Sequence, residues 1–221
     1  MRDAVQGLER EIQKAVIGQT RVIREVIVGL LAAGHILVEG VPGLGKTLLV
    51  RALAAAVGGR FSRVQFTPDL MPSDISGHVM FDMKRDAFRV RKGPVFCNFL
   101  LADEVNRAPA KTQSALLEVM QEQQVTIEGT GYKLERPFLV LATQNPIEQE
   151  GTYPLPQAQL DRFLLKIFID YPELEEEQAL VHHVTRGVGD QLDISAITQI
   201  LNPEQIVKLQ QYAAGLRVDE Q

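Results

Sequence analysis

The stretch His35-Ile36-Leu37-Val38-Glu39-Gly40-Val41-Pro42-Gly43-Leu44-Gly45-Lys46-Thr47 decides how this chain folds. Its first five residues form a short apolar run that reads as a strand, and Leu48 to Val57 continue at helical period. Between them, Gly40 to Thr47 match the pattern G-x-x-x-x-G-K-[ST] in the strand-to-helix context that the pattern requires. The glycines let backbone N–H groups turn inward on phosphate oxygens, and the helix N-terminus adds partial positive charge. Gly40, Val41, Pro42, Gly43, Leu44 and Gly45, with Leu48 in the first helical turn, are thus expected to cradle a nucleotide. Lys46 would reach its β- and γ-phosphates, and the Thr47 hydroxyl would ligate Mg²⁺. A glycine turn that merely joins strand to helix is the weaker reading, because both flanking elements are present.

Working outward, Phe61 to Phe66, Asn98 to Ala102, Phe138 to Ala142 and Leu164 to Ile169 read as further short strands. Thr20 to Ala33 and Lys111 to Gln123 read as helices, the latter with Leu116, Leu117, Val119 and Met120 at helical spacing. Five apolar runs separated by helical segments predict an α/β fold, a five-stranded parallel sheet flanked by helices. Two hairpins are also expected. One joins Val125–Glu128 to Tyr132–Leu134 through a three-residue connection, Gly129-Thr130-Gly131; the other joins Val79–Phe81 to Phe88–Val90. After Tyr171-Pro172 a new helical region is expected, opened by Glu173, Glu175, Glu176 and Glu177. A last helix is capped by Asn202, with Pro203 at its first position. The division is residues 1–171 as nucleotide-binding core and 172–221 as the start of a helical lid.

The strand Phe99-Leu100-Leu101-Ala102 ends in Asp103-Glu104. In a parallel sheet its carboxyl end lies beside the phosphate loop, so Asp103 can hold the Mg²⁺ shell. Glu104 is then free to polarise a water for attack on the γ-phosphate. The next strand ends in Thr143-Gln144-Asn145-Pro146, where Asn145 could position that water; a plain Asn-Pro turn is the alternative. With no N-K-x-D motif in the chain, ATP is favoured over GTP.

Composition narrows the classes. The 221 residues carry 23 Lys plus Arg against 28 Asp plus Glu, a net charge of −5, which argues against charge-driven nucleic-acid binding. The longest run without Asp, Glu, Lys or Arg is Val26 to Val38, thirteen residues, too short for the roughly 20 of a membrane-spanning helix. The charged N-terminus lacks a signal-like apolar region, and the single cysteine, Cys97, suits a reducing compartment. A cytoplasmic protein is the expectation. Cys97 precedes an apolar strand and reads as a core residue. His182-His183 are helix neighbours that point apart and cannot share a metal. Lys84, Arg85, Arg89, Arg91 and Lys92 crowd five cations into nine residues, read as a solvated hairpin or a loop that meets protein substrates.

The runs GVPGLGKT, LLADEVNRAPAKTQSALLEVMQE and LATQNPIEQEGTYPLPQAQLDRF, in that order, resemble the AAA+ ATPases of the MoxR family over most of Ile17 to Pro172. The resemblance implies a five-stranded AAA+ core with a helical lid, a homo-hexameric ring, and chaperone-like remodelling or assembly of protein clients. Partners in that family are often von Willebrand factor A domain proteins. It makes Lys46 and Thr47 the Walker A pair, Asp103 and Glu104 the Walker B pair, and Asn145 sensor 1. Ile17 and Gly18 would lie against adenine. Arg162 resembles the arginine finger, a permanent cation offered to the neighbouring subunit's γ-phosphate; pairing with Asp161 or Glu148 is its structural alternative. Arg107 is a second candidate for an intersubunit contact, with a surface-loop arginine as its equal alternative. The chain ends at Gln221 before any match to the family's sensor 2 arginine, so a truncated lid is expected. Two rival functions remain: a nucleotide-gated assembly scaffold with little turnover, which purified ATPase activity would exclude, and a nucleic-acid translocase, which would show salt-sensitive stimulation by DNA or RNA.

Overall fold

The structure, a computed structural model, describes residues 2–40, 45–145, 152–169 and 194–216. Strands β1 (His35–Gly40), β2 (Phe61–Gln65), β5 (Phe99–Asp103), β8 (Leu139–Gln144) and β9 (Phe163–Ile169) form one sheet in the order β2-β5-β8-β1-β9. All four pairings are parallel. The expected five-stranded parallel sheet is therefore present, with strand ends shifted by one or two residues.

Period-two alternation splits each inner strand between two cores. Ile36, Val38, Phe99, Leu101, Leu139 and Leu141 face a layer built from α1 (Arg2–Gln13), α2 (Thr20–Leu31) and α3 (Lys46–Val57). Leu37, Leu100, Ala102, Val140 and Ala142 face the other way, onto Leu116, Leu117, Val119 and Met120 of α5 (Ala110–Glu122). Being buried on both faces, these strands read as unbroken apolar runs rather than alternating ones. The edge strand β9 differs: Ile167 and Ile169 are buried, whereas Leu164, Lys166 and Phe168 are exposed.

A short helix α4 (Pro72–Ser76) precedes the hairpin of β3 (Gly77–Asp82) and β4 (Ala87–Lys92), where Val79 pairs with Val90 and Phe81 with Phe88. The second hairpin joins β6 (Gln124–Ile127) to β7 (Thr130–Lys133). Its connection is two residues, Glu128-Gly129, and not the expected three, because Thr130 already pairs with Ile127. Both turn residues have positive φ, 46° and 77°, the backbone that matches the right-handed twist of the flanking strands.

After α6 (Gln157–Leu160) and β9, α7 (Pro203–Ala214) carries the anticipated N-terminus. Asn202 Oδ1 accepts from Gln205 N, and Gln205 Oε1 accepts from Asn202 N, each at 2.8 Å. The helix lies against α2, with Ile206 buried and Gln210 donating to the Leu30 carbonyl at 2.7 Å. The Tyr171-Pro172 boundary, the acidic helix start and His182-His183 lie outside the described residues. Cys97 is buried, as expected of a core residue, and burial pushes its thiol up to about 11.

His35 is the buried imidazole of the sheet. Its Nδ1 accepts from Val140 N at 3.0 Å, so Nε2 carries the proton and donates to the Met120 carbonyl at 3.1 Å. Burial lowers its pKa below the ordinary 6.5. The unfolded chain therefore takes up this proton first as pH falls below about 6.5, and stability declines until the folded His35 also protonates. Thermal unfolding midpoints should fall between pH 7 and pH 5, and His35→Gln should flatten that slope; an unchanged slope would remove His35 as its source.

Candidate functional site

Parallel register brings the carboxyl ends of β2, β5, β8 and β1 together. Gln65 lies opposite Asp103, Ala102 opposite Ala142, and Glu39 opposite Gln144. A cleft of about 360 Å³ opens there, lined by Gly40, Gly45, Lys46, Thr47, Arg63, Gln65, Asp103, Glu104, Thr143 and Asn145. It thus unites the residues from all three sequence motifs. Gly45 adopts φ 71°, a left-handed turn that glycine enters without strain, and α3 starts immediately after it. Val41, Pro42, Gly43 and Leu44 lie outside the described residues.

Lys46 Nζ donates to the Gly40 carbonyl at 2.8 Å. Burial lowers its pKa, while the carboxylates of Asp103 and Glu104 pull the other way. A cation is thus held partly out of water beside two acids. Thr47 lines the cleft one residue further on, and Leu48 packs against the first core.

The carboxylates are held by side chains from β2 and β8 and from the short turn after β5. Asp103 Oδ1 accepts from the Thr143 hydroxyl at 2.6 Å, and that hydroxyl accepts from Glu104 N at 2.9 Å. Arg63 closes on Asp103 Oδ2 with Nε at 3.2 Å and Nη2 at 2.7 Å. Glu104 Oε2 accepts from Gln65 Nε2 at 2.7 Å and from Arg107 Nη1 at 2.9 Å. The Glu104 backbone is left-handed, φ 56° and ψ 51°, a conformation few side-chain-bearing residues adopt. That turn ends β5 and swings Glu104 away from the strand direction into the cleft. Asn145, nearly buried, follows β8 at the same rim.

Arg63, Gln65 and Thr143 had no role in the sequence reading. Arg63 and Gln65 were visible only as alternate polar positions in the strand Phe61–Phe66, a pattern shared by any half-exposed strand. Arg107, a candidate for an intersubunit contact or a surface-loop arginine, pairs with Glu104 of its own chain.

Ile17, Gly18 and Arg162 are not among the residues that line the cleft. Ile17 and Gly18 form the half-buried turn between α1 and α2, with Gly18 at φ 75°. Arg162 is exposed just before β9, whose Phe163 pairs with His35 and whose Ile169 pairs with Gly40. It therefore sits at the opposite end of the sheet, about 20 Å of strand from the phosphate loop. Its guanidinium makes no ion pair among the described residues, Asp161 included; Glu148 lies outside them. Among those residues, too, no three His, Cys, Asp or Glu converge as a metal cage, and no helix is long and apolar enough to cross a membrane.

Residues 35–165 match the model of the ATPase family associated with various cellular activities (AAA). The chain is 52% identical over 214 residues to the chaperone MoxR1 of Mycobacterium tuberculosis, covering 96% of this chain and 55% of that one. It is 39% identical over 176 residues to the protein MoxR of Methylorubrum extorquens, covering 77% of this chain and 51% of that one. A crystal structure of a candidate ATPase from Cytophaga hutchinsonii superposes with a TM-score of 0.89 at 47% identity, covering 99% of this chain and 65% of that one. The chain thus spans a little over half the length of these relatives. With a continuous family match, a superposable fold and the motif residues gathered in one cleft, this chain belongs to the MoxR family of AAA ATPases.

Proposed function

We propose that the cleft binds ATP with Mg²⁺ and hydrolyses it, and that the whole protein couples this cycle to remodelling or assembly of protein clients. The observation that carries the reading is the convergence of Lys46 and Thr47 with Asp103 and Glu104 on one cleft. A half-buried lysine faces two carboxylates there, which suits a polyanion accompanied by a divalent cation. The donor set fits Mg²⁺, which is usually held through one or two protein oxygens plus substrate phosphates rather than by a protein cage. Thr47 and Asp103 would hold it, and when bound it neutralises charge on the phosphates.

The chain's own residues then divide the work. The start of α3 presents N–H groups to the phosphates, and Lys46 exchanges the Gly40 carbonyl for phosphate oxygen. Leu48, with Ile17 and Gly18, belongs to the apolar surroundings of the nucleotide. Glu104 accepts the proton of the attacking water once Gln65 and Arg107 release its oxygen, and Asn145 orients that water. Residues 1–171 serve as the nucleotide-binding core and 172–221 as the first part of a helical lid.

Arg162 cannot serve its own cleft, from which the sheet separates it. Its role at a phosphate requires a second subunit, which supports a ring, a homo-hexamer by family resemblance. The name of the relative MoxR1 as a chaperone supports protein clients; von Willebrand factor A domain proteins are partners by family resemblance. The acidic balance favours no nucleic acid. The test pairs two inactive variants. Arg162→Ala keeps its own Glu104, and Glu104→Gln still offers Arg162. Mixed under subunit exchange, they should regain part of the ATPase activity, rising with protein concentration. Exchange seen by fluorescence transfer without recovered turnover would show that Arg162 does not act in trans.

A further inference from the structure

The guanidinium of Arg63 sits where nothing in the motifs places a cation. It reaches from the edge strand β2 to the end of the neighbouring β5 and gives two N–H groups to one oxygen, Asp103 Oδ2. The other oxygen, Oδ1, is set by Thr143, whose hydroxyl is itself oriented by Glu104 N. One side of the Asp103 carboxylate is thus fixed by the two inner strands, and the other is capped by a side chain about half-exposed on the sheet edge. The remaining contact of Arg63, Nη2 to Gln65 Oε1 at 3.1 Å, is to its own strand. Releasing Asp103 therefore needs side-chain rotation alone, with no change to the ladder.

We propose that Arg63 is the exchangeable counter-ion of Asp103: it holds the carboxylate's charge while the cleft lacks a divalent cation and leaves Oδ2 when one arrives. Arg63 thereby sets the metal affinity of the site. The inference rests on the assignment of Asp103 to the metal shell. Physically, a guanidinium and a dication compete for one carboxylate, and a cation that stays close repels the metal. The guanidinium suits this place because it offers two N–H groups to the one oxygen left by Thr143 and never deprotonates. Lys46 resembles it in one respect, since it rests on the Gly40 carbonyl.

The experiment measures ADP affinity by calorimetry, with saturating Mg²⁺ and with excess EDTA, in the wild-type chain, Arg63→Met and Arg63→Lys. The ratio of the two dissociation constants isolates the contribution of the metal from any uniform loss of phosphate attraction. Met keeps the apolar stem and removes the charge; Lys keeps a charge without the fork. Removing a unit charge about 5 Å from a dication should raise the metal-dependent ratio about tenfold in Arg63→Met. Arg63→Lys should fall between Met and wild type. Circular dichroism confirms that each variant is folded. A wild-type chain that binds ADP identically with and without Mg²⁺ would overturn the metal site and, with it, this inference. Mg²⁺-dependent binding in wild type with an unchanged or smaller ratio in Arg63→Met would overturn the counter-ion role alone and leave the metal site standing.

Discussion

Glu104→Gln should keep nucleotide and lose turnover by about 10²–10⁴-fold, the usual contribution of a positioned general base. The substituted amide still fits the space between Gln65 and Arg107, so the cleft keeps its shape, but it cannot accept the water's proton. Steady-state phosphate release beside calorimetric ATP binding checks both halves. Asp103→Asn differs in kind: it removes the charge that Arg63 and Thr143 hold in place, so Mg²⁺-dependent binding should weaken as well as hydrolysis. If both variants lost binding and turnover equally, the two carboxylates would have no separate roles.

Lys46→Ala should lower ATP affinity by about 10–100-fold, the worth of hydrogen bonds to a charged group converted to an equilibrium. The loss is large because this ammonium is half-buried and its charge is not diluted by bulk water. In the chain without nucleotide the same substitution costs little, since among the described residues the ammonium's hydrogen-bond partner is the Gly40 carbonyl. Affinity by calorimetry and thermal stability without ligand should therefore separate: a large fall in the first and a small change in the second. Unchanged affinity would remove Lys46 from the phosphate site.

The sheet was legible in the sequence because burial on both faces writes unbroken apolar runs such as Phe99-Leu100-Leu101-Ala102. The cleft was legible where chemistry demands fixed spacing: glycines before Lys46-Thr47, and two acids closing a strand. Register then did what no motif states. Strand β2 carries Arg63 and Gln65, whose contacts exist only because Gln65 lies opposite Asp103, thirty-eight positions later in the chain. Thr143 was hidden for a related reason, since its hydroxyl bridges Asp103 and the Glu104 backbone only once β8 lies beside β5. The hairpin turn was read one residue too long because Thr130 looked like turn composition, whereas the positive φ of Glu128 and Gly129 closes the turn earlier. Arg107 shows the limit of motif reasoning: spacing placed it near Glu104 but could not say that its partner would be in the same chain.

The proposed function requires the phosphates of ATP to occupy the space between Lys46 and Asp103. A crystal structure of Glu104→Gln with ATP and Mg²⁺ tests it most directly. The β- and γ-phosphate oxygens are expected on Lys46 Nζ, which will have left the Gly40 carbonyl, with Mg²⁺ on the Thr47 hydroxyl and Arg63 withdrawn from Asp103 Oδ2. Nucleotide bound elsewhere, or phosphates in the cleft with Lys46 still on Gly40 and no metal near Thr47, would contradict it.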